Sequence, residues 1–181
     1  MPDLPRSRRT VRSLPPGEAD LSLVSHALEV AAQAPSGANR QPWRFLVVTD
    51  PGLKPRIRGA EEGERRFYEG VSGELRERLL SRGFGPEKPS LEEAPVPTTV
   101  FSRRGEPHSS ESVWLAVGWI LRALEELGTV AYTPSDPGLV EGAVGAPPDL
   151  RLGVVLPVGV PAGEASKLPR GPLSELSLIH I

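Results

Sequence analysis

The spacing of hydrophobic residues along the chain predicts alternating helices and short strands. Apolar residues on one face indicate a helix over residues 21–34, with Asp20 placed to cap its first turn. Four residues mark the buried stripe of this helix: Leu21, Val24, Leu28 and Ala31. The run 45–48 that follows is continuously apolar, which is typical of a strand covered on both faces. We therefore predict that this strand is central in a sheet.

Charged and glycine-rich sequence follows the first strand. A helix is predicted to begin at Asp50-Pro51, because proline suits a first helical turn, and it becomes acidic from residue 61. Ser72 is placed to cap a short helix with three leucines on one side and charged residues on the others. Glycines flank that helix at both ends. A marginal amphipathic helix bounded by glycines is typical of a mobile lid, which we assign to residues 64–90.

Three later runs predict further strands, over residues 96–101, 129–133 and 152–158. Pro97 cannot donate a ladder hydrogen bond, so its strand is expected at an edge of the sheet or to have the proline at its start. Residues 137–144 predict a short helix between the last two strands. A chain of 181 residues suits one domain, which we place over residues 1–176. Residues 177–181 are interpreted as a foreign or truncated tail.

The longest predicted helix begins at Ser109 or Ser110 and runs to residue 127, with Gly128 after its end. Its centre, residues 113–121, is apolar on all sides and contains Trp114 and Trp119. A helix of this kind requires burial all round. In one small domain this is easiest if a second subunit covers one face, so the pattern indicates a dimer.

Composition narrows the class of protein. The net charge of −2, with both signs interspersed, gives no reason to expect a nucleic acid or an anionic membrane as partner. The absence of cysteine excludes disulfides and thiol chemistry, and the three histidines lack the spacing of metal ligands. There is no apolar leader segment, and the longest uncharged apolar run is too short to span a bilayer. We therefore expect a cytoplasmic protein without a metal site.

An arginine run near the start of the chain is the first candidate for chemistry. The segment Arg8-Arg9-Thr10-Val11-Arg12 places three guanidinium groups within five residues. Such a cluster is costly unless an anion shares it, and the planar fork of arginine suits phosphate oxygens. A solvated charge cluster is the commoner role of such runs, so both interpretations stay open on this segment alone.

A glycine-bearing loop, residues 35–43, joins the first helix to the first strand and reads Pro-Ser-Gly-Ala-Asn-Arg-Gln-Pro-Trp. Pro35 cannot continue the helix, and Gly37 allows a ligand to approach the main chain. Helix, ligand-compatible loop and strand in succession commonly build a cofactor site. By composition alone, an ordinary helix-to-strand connection is the alternative.

Three polar residues in the lid segment form the third candidate. Glu64 and Tyr68 are four residues apart and share a helical face, and Lys88 lies twenty residues further on. Taken singly, each is an ordinary surface residue. Only as a set, and in this order, do they match a pattern found in a known protein family.

These motifs, in this order, resemble the nitroreductase-like FMN proteins, and most of all their iodotyrosine deiodinase branch. The matching landmarks are the arginine run, the Pro-Ser-Gly-Ala turn, the set of three lid residues, and Thr133-Pro134, and the resemblance covers residues 8–173. It implies an α+β fold with a mixed sheet flanked by helices. It also implies an intertwined homodimer with one FMN at each interface.

The resemblance implies a role for each motif. The residues expected to bind FMN are Arg8, Arg9, Thr10, Val11, Arg12, Ser36, Gly37, Ala131, Tyr132, Thr133 and Arg170. Thr133 is the expected catalytic residue, because its counterpart bonds the flavin N5. Ala131 and Tyr132 depart from the Thr-Thr-Thr-Pro pattern of the family, so contacts there would come from the main chain. The residues expected to bind the substrate are Ala38, through its N–H near the phenolate, and Glu64, Tyr68 and Lys88.

The implied activity is reductive dehalogenation of a halogenated tyrosine, with NAD(P)H or a separate reductase as electron donor. Glu64 would accept the substrate ammonium, while Tyr68 and Lys88 would face its carboxylate. Two other enzymes remain possible at this point: a general nitro or quinone reductase, and the flavin-fragmenting branch of the family. A halotyrosine-binding sensor that uses flavin without turnover is the alternative that is not an enzyme.

Overall fold

The computed structural model describes residues 8–124, 127–165, 167, 169–172 and 175. Four strands are found in this part of the chain: β1 (Trp43–Val47), β2 (Val96–Arg103), β3 (Gly128–Thr129) and β4 (Leu150–Gly159). The first three helices are α1 (Leu21–Ala32), α2 (Lys54–Arg58) and α3 (Glu61–Gly70). The remaining four are α4 (Gly73–Ser81), α5 (Ser90–Glu93), α6 (Ser109–Ala123) and α7 (Pro137–Val144).

The four strands form one sheet in the order β1-β2-β4-β3, and each pairing is antiparallel. The α+β fold class is confirmed, but the described strands do not show the mixed strand directions that we expected. The prediction that the strand after the flavin-type loop is central is wrong among these strands, because β1 lies at one edge. The continuous run of apolar residues in β1 is instead explained by helices that pack against this edge of the sheet.

Pro97 was expected either in an edge strand or at the start of its strand. It lies at the start of β2, which is a central strand, so the second alternative is confirmed. Pro97 is opposite Pro157 of β4. Opposed residues in an antiparallel pair alternate between bonded and non-bonded sites, and two prolines can face each other only at a non-bonded one. The carbonyl of Pro97 still accepts a hydrogen bond from Val48 N at 2.8 Å.

Two layers of helix cover the sheet. On one face, α1 and α6 pack on strand residues such as Val100 and Val154. On the other face, α2, α5 and α7 pack on Phe101, Leu152 and Val155. The pairing of β2 with β4 shifts by one residue at this level, because Val100 is opposite Val154 while Phe101 is opposite Leu152.

Several predicted elements differ in extent from the observed ones. The helix expected from Asp50 is split into α2 and α3, with Gly59 ending the first. The helix expected to reach residue 127 ends at Ala123. The strand expected over 129–133 is reduced to β3 and a single bridge between Tyr132 and Val155. The predicted tail, residues 177–181, lies outside the described residues.

Helix α6 is apolar on the side that faces solvent in a single chain as well as on the side that faces the sheet. Val113, Ala116, Val117 and Ile120 are buried. On the opposite side, Trp114, Leu115 and Trp119 are 43%, 48% and 43% exposed. One chain therefore covers only part of this helix. Among the described residues, no helix is long and apolar enough to cross a membrane.

Candidate active site

The three lid residues singled out in the sequence lie together in the structure. Lys88 Nζ is 3.5 Å from Glu64 Oε2 and 5.3 Å from the centroid of the Tyr68 ring. Glu64 is only 5% exposed, although it is a charged residue on a short helix. A buried carboxylate needs partners, and Lys88 is the partner of Glu64 that carries the opposite charge. The structure therefore brings a carboxylate, a phenol and an ammonium to one place.

The backbone around Lys88 is fixed by a second acidic residue of α3. Glu61 is buried, and its Oε1 accepts a hydrogen bond from Lys88 N at 2.7 Å. Its other oxygen lies 3.4 Å from Arg58 Nε. The ammonium of Lys88 also donates to the carbonyl of Gly85. Lys88 is thus held against α3 by its main chain, while its side chain faces Glu64.

The sequence did not single out Ser135, which contacts the same carboxylate. Glu64 Oε1 accepts hydrogen bonds from Ser135 N at 2.9 Å and from Ser135 Oγ at 2.5 Å. The only sequence signal was its position two residues after Thr133. Burial acts to raise the pKa of Glu64, but the bonds from Ser135 and the charge of Lys88 outweigh it, so that this pKa lies below its ordinary value.

Two tyrosines surround this carboxylate. Burial and then the charge of Glu64 raise the pKa of the Tyr68 phenol. The same two causes raise that of Tyr132 further, so both hydroxyls stay protonated at neutral pH. Tyr132 was predicted to bind the cofactor through its main chain. Its N–H and its carbonyl are both bonded to Val155, at 2.9 and 2.8 Å, and its cofactor contact stays a prediction.

The arginine run lies beside β3. Val11 is buried, and its N–H donates to the carbonyl of Thr129 at 3.0 Å, which anchors the run. Arg8 and Arg9 line a cavity of about 420 Å³ with Leu121 of α6 and Leu124, which directly follows that helix. Arg8 and Arg12 form no ion pair with a carboxylate within the described part of the chain. Guanidinium groups that are not paired with a carboxylate are suited to bind a phosphate.

Two further contacts concern the predicted cofactor residues near this run. The guanidinium of Arg12 stacks on the ring of Phe84, a residue of the lid segment, at 4.9 Å from the ring centroid. Thr10 Oγ1 accepts from Arg8 at 3.5 Å. Arg170 is exposed, and its assignment to the phosphate stays a prediction. The run and the lid segment are therefore in contact within one chain.

The glycine-bearing loop forms a tight turn at the other end of α6. Gly37 N donates to Ser112 Oγ at 3.2 Å, and Ser36 Oγ accepts from Gln41 N at 3.0 Å. A Cβ on Gly37 would lie 3.2 Å from His108 Cβ, so this position favours glycine for lack of space. Ala38 has φ of 48°, a left-handed conformation that is rare for residues with a side chain. Such strain is often found at ligand sites.

Thr133, the predicted catalytic residue, is exposed at a cavity of about 590 Å³. The same cavity is lined by His108, Trp114 and Arg151. Thr133 follows Thr129, to which the arginine run is bonded, by four residues. At the rise of an extended chain this is about 13 Å. The segment from Thr129 to Ser135 thus connects the arginine run, Thr133 and the lid carboxylate.

The two halves of the predicted flavin site lie beside different parts of α6. Gly37 is bonded to Ser112 near the start of α6, whereas the arginine run lies at Leu121 and Leu124 near its end. Nine residues separate Ser112 from Leu121. At the helical rise, this is about 14 Å along the axis. The loop and the arginine run therefore lie at opposite ends of α6.

Comparison with known proteins identifies the family of this chain. The sequence matches the family model described as "Nitroreductase family" over residues 6–132. It is 50% identical over 171 residues to iodotyrosine deiodinase of Thermotoga neapolitana. The aligned region covers 93% of this chain and 92% of that protein. A crystal structure of oxidized iodotyrosine deiodinase bound to FMN and 3-iodo-L-tyrosine superposes with a TM-score of 0.91. Its identity is 46%, over 98% of this chain and 96% of that one.

A BluB-like flavoprotein from Clostridium difficile has the same fold at lower similarity, with a TM-score of 0.80 and 19% identity, over 99% of this chain and 98% of that one. The chain therefore belongs to the nitroreductase family. Within that family, its similarity to the deiodinases extends over nearly its whole length, so the resemblance to the deiodinase branch is confirmed.

Proposed function

We propose that this protein is an FMN-dependent oxidoreductase that removes halogen from a halogenated tyrosine by reduction. The observation that carries this proposal is the cluster of Glu64, Tyr68 and Lys88, with 3.5 Å between the carboxylate and the ammonium. A general nitro or quinone reductase has no use for paired charges of this kind. The extensive similarity to iodotyrosine deiodinases supports the same choice of substrate class.

The residues present fit FMN. The arginine run offers guanidinium groups for the phosphate, and Gly37, without a side chain, allows a ligand to approach the main chain of the loop. When bound and reduced by the electron donor, FMN would supply two electrons for the substrate, whose ring carbon would gain a proton while the halogen leaves as halide. Thr133 contributes a hydroxyl donor to the flavin, and Ser36 and Gly37 contribute from the loop.

The substrate is bound at its two ends by different parts of the chain. At the amino-acid end, Glu64 takes the ammonium, and Lys88 and the protonated Tyr68 take the carboxylate. In the structure Lys88 pairs with Glu64 itself, so binding exchanges one ion pair for two. At the aromatic end, the N–H of Ala38 is the proposed donor to the phenolate. The electron donor, NAD(P)H or a separate reductase, and a cytoplasmic location remain predictions.

We propose that a homodimer completes the site, because the loop and the arginine run lie at opposite ends of α6. A second copy on the exposed face of α6, running in the opposite direction, would bring the loop of one chain to the arginine run of the other. The same contact would cover Trp114, Leu115 and Trp119, three large apolar residues that are exposed side by side in a single chain.

Replacing Trp119 by aspartate is expected to abolish assembly, because a charge would be buried in that apolar contact. Flavin should be lost together with the dimer, since each site draws on both chains. Light scattering and flavin absorbance on the same column would measure both. The variant Trp119→Leu, which keeps an apolar residue, should remain a flavin-bound dimer. A folded, flavin-loaded monomer of Trp119→Asp at micromolar concentration would contradict the proposed dimer.

The test of the proposed substrate is a titration of the purified protein with 3-iodotyrosine, followed by flavin fluorescence. Stacking of the ligand on the flavin should change the fluorescence at micromolar concentrations. Iodophenol, which lacks both charges of the amino acid, should bind much more weakly. Equal binding of the two ligands would favour a general reductase, and binding of iodotyrosine without turnover by the reduced protein would favour the sensor.

A further inference from the structure

Ser135 saturates one oxygen of Glu64 and leaves the other free for a cation. Both of its donors, N at 2.9 Å and Oγ at 2.5 Å, reach Oε1. Lys88 faces the second oxygen, Oε2, at 3.5 Å. Because two donors fix Oε1, the carboxylate cannot turn about its axis without losing both hydrogen bonds. The orientation of Oε2 is thereby set by a residue outside the lid segment.

Tyr132 adds a buried hydroxyl to the same place. The residue is 9% exposed. Its hydroxyl is near enough to Glu64 for each group to shift the pKa of the other, but it makes no hydrogen bond of good geometry within the described part of the chain. Its ring lies 5.8 Å from Lys88 Nζ. Buried hydroxyls nearly always have a partner, so one without a partner beside a carboxylate points to a group that arrives with a ligand or to a rearrangement of that carboxylate.

These two residues flank Thr133, the residue proposed to contact the flavin. Tyr132 is buried, Thr133 is exposed, and Ser135 is bonded to Glu64. One four-residue segment thus presents a hydroxyl to the flavin side and three polar groups to the lid side. Sequence motifs identified only the first of these functions.

We propose that Ser135 and Tyr132 are positioning residues that determine specificity for ligands with a free ammonium group. This inference rests on the proposed function. Ser135 holds Oε1 of Glu64 so that Oε2 points at the ligand ammonium. When Lys88 moves to the ligand carboxylate, the hydroxyl of Tyr132 donates to Glu64 in its place. Glu64 therefore stays ionised and oriented throughout binding.

The test uses the flavin-loaded protein and two ligands that differ only at the ammonium. They are 3-iodotyrosine and 3-(4-hydroxy-3-iodophenyl)propionate, which keeps the carboxylate and the iodophenol. Ser135→Ala should weaken iodotyrosine binding about tenfold, the value of one hydrogen bond to a charged group, and leave the propionate unaffected. Ser135→Thr, which restores a hydroxyl, should recover most of the loss. Tyr132→Phe should weaken iodotyrosine about threefold.

A matched control is available in the lid itself. Ser72 precedes α4, is exposed, and makes no side-chain cap hydrogen bond, so Ser72→Ala should bind both ligands as the unchanged protein does. Flavin content should be the same in all variants, which reports that the fold and the cofactor site are retained. Ser135 is exposed and Tyr132→Phe keeps the ring, so neither change opens a cavity.

The pH dependence separates positioning from a merely structural role. The groups facing Glu64 are Lys88, Tyr68, Tyr132 and Ser135, and Asp136 follows next in the chain. Only the carboxylate of Glu64 binds an ammonium, so affinity falls as pH drops through its pKa. The bonds from Ser135 hold this pKa low. Without the hydroxyl it rises, and the acidic loss of affinity should begin at a higher pH in Ser135→Ala.

The affinities of the variants for the two ligands decide whether Ser135 positions Glu64. Loss confined to iodotyrosine, rescued by threonine and shifted in pH, supports the inference. Equal affinities of Ser135→Ala and the unchanged protein overturn it, and so do equal losses for both ligands, because these would indicate a generally loosened site. If the unchanged protein binds no iodotyrosine, the proposed function fails, and this inference fails with it.

Discussion

Replacing Arg8, Arg9 and Arg12 together by alanine is expected to leave a folded protein that no longer retains FMN. The three guanidinium groups are the proposed partners of the phosphate, and each charge-assisted bond lost weakens binding by about tenfold or more. Together the changes should weaken FMN binding by roughly three orders of magnitude. The backbone of the run should stay in place, because Val11 keeps its bond to Thr129.

The ratio of flavin to protein absorbance after gel filtration measures this effect directly. A matched control replaces three exposed arginines elsewhere, Arg56, Arg78 and Arg82, which removes the same positive charge. The control protein should remain yellow. Full retention of flavin by the triple alanine variant of the run would show that the phosphate is bound by other residues.

The second large effect is expected at Lys88. Changing Lys88 to alanine should weaken iodotyrosine binding by about 2–5 kcal/mol, the range for removing one partner of a desolvated charge pair. Part of this free energy reflects the ligand carboxylate left without its cation, and part reflects Glu64, which loses its neighbour at 3.5 Å. Flavin binding should not change, since Lys88 contacts the lid residues and not the arginine run.

Two comparisons make this prediction specific. Iodophenol lacks the carboxylate that Lys88 is proposed to bind, so its weak affinity should hardly change when Lys88 is replaced. Arg78→Ala removes an exposed cation from the lid helix α4 and should affect neither ligand. Equal loss for iodotyrosine and iodophenol in Lys88→Ala would mean that the lysine shapes the lid and does not contact the amino-acid end.

The sequence was most informative where a local pattern determines the structure. Helix α7 has the predicted bounds, because Asp136 caps it through Gly138 N and Gly145 ends it in a left-handed conformation. Helix α4 follows Ser72 as predicted. The lid residues were found because three unlike polar groups occur in an order shared with a known family, and the structure places them together.

Strand order was less accessible, because it depends on contacts that no single segment encodes. A continuous apolar strand is equally compatible with a central position and with an edge covered by helices. The sequence therefore did not show that β1 lies at an edge and β2 at the centre. The prolines of β2 and β4 are tolerated because they are opposite each other, which is a property of register.

Ser135 and the side chain of Tyr132 could not be identified from the sequence for a related reason. Serine and tyrosine after a short strand carry no signal of their own. Their importance depends on Glu64, which lies 71 positions before Ser135 and reaches it only in the folded chain. Contacts between distant segments that involve common residue types require the structure.

The most direct measurement of the proposed activity is a single turnover under anaerobic conditions. The flavin-loaded protein is reduced with dithionite, 3-iodotyrosine is added, and the products are separated by liquid chromatography. Tyrosine and iodide should appear in equal amounts, one of each per reduced flavin, and the flavin should return to its oxidised form. The same experiment with Lys88→Ala should yield little tyrosine at low substrate concentration. Reduced protein that binds iodotyrosine and leaves it intact would contradict the proposed reaction.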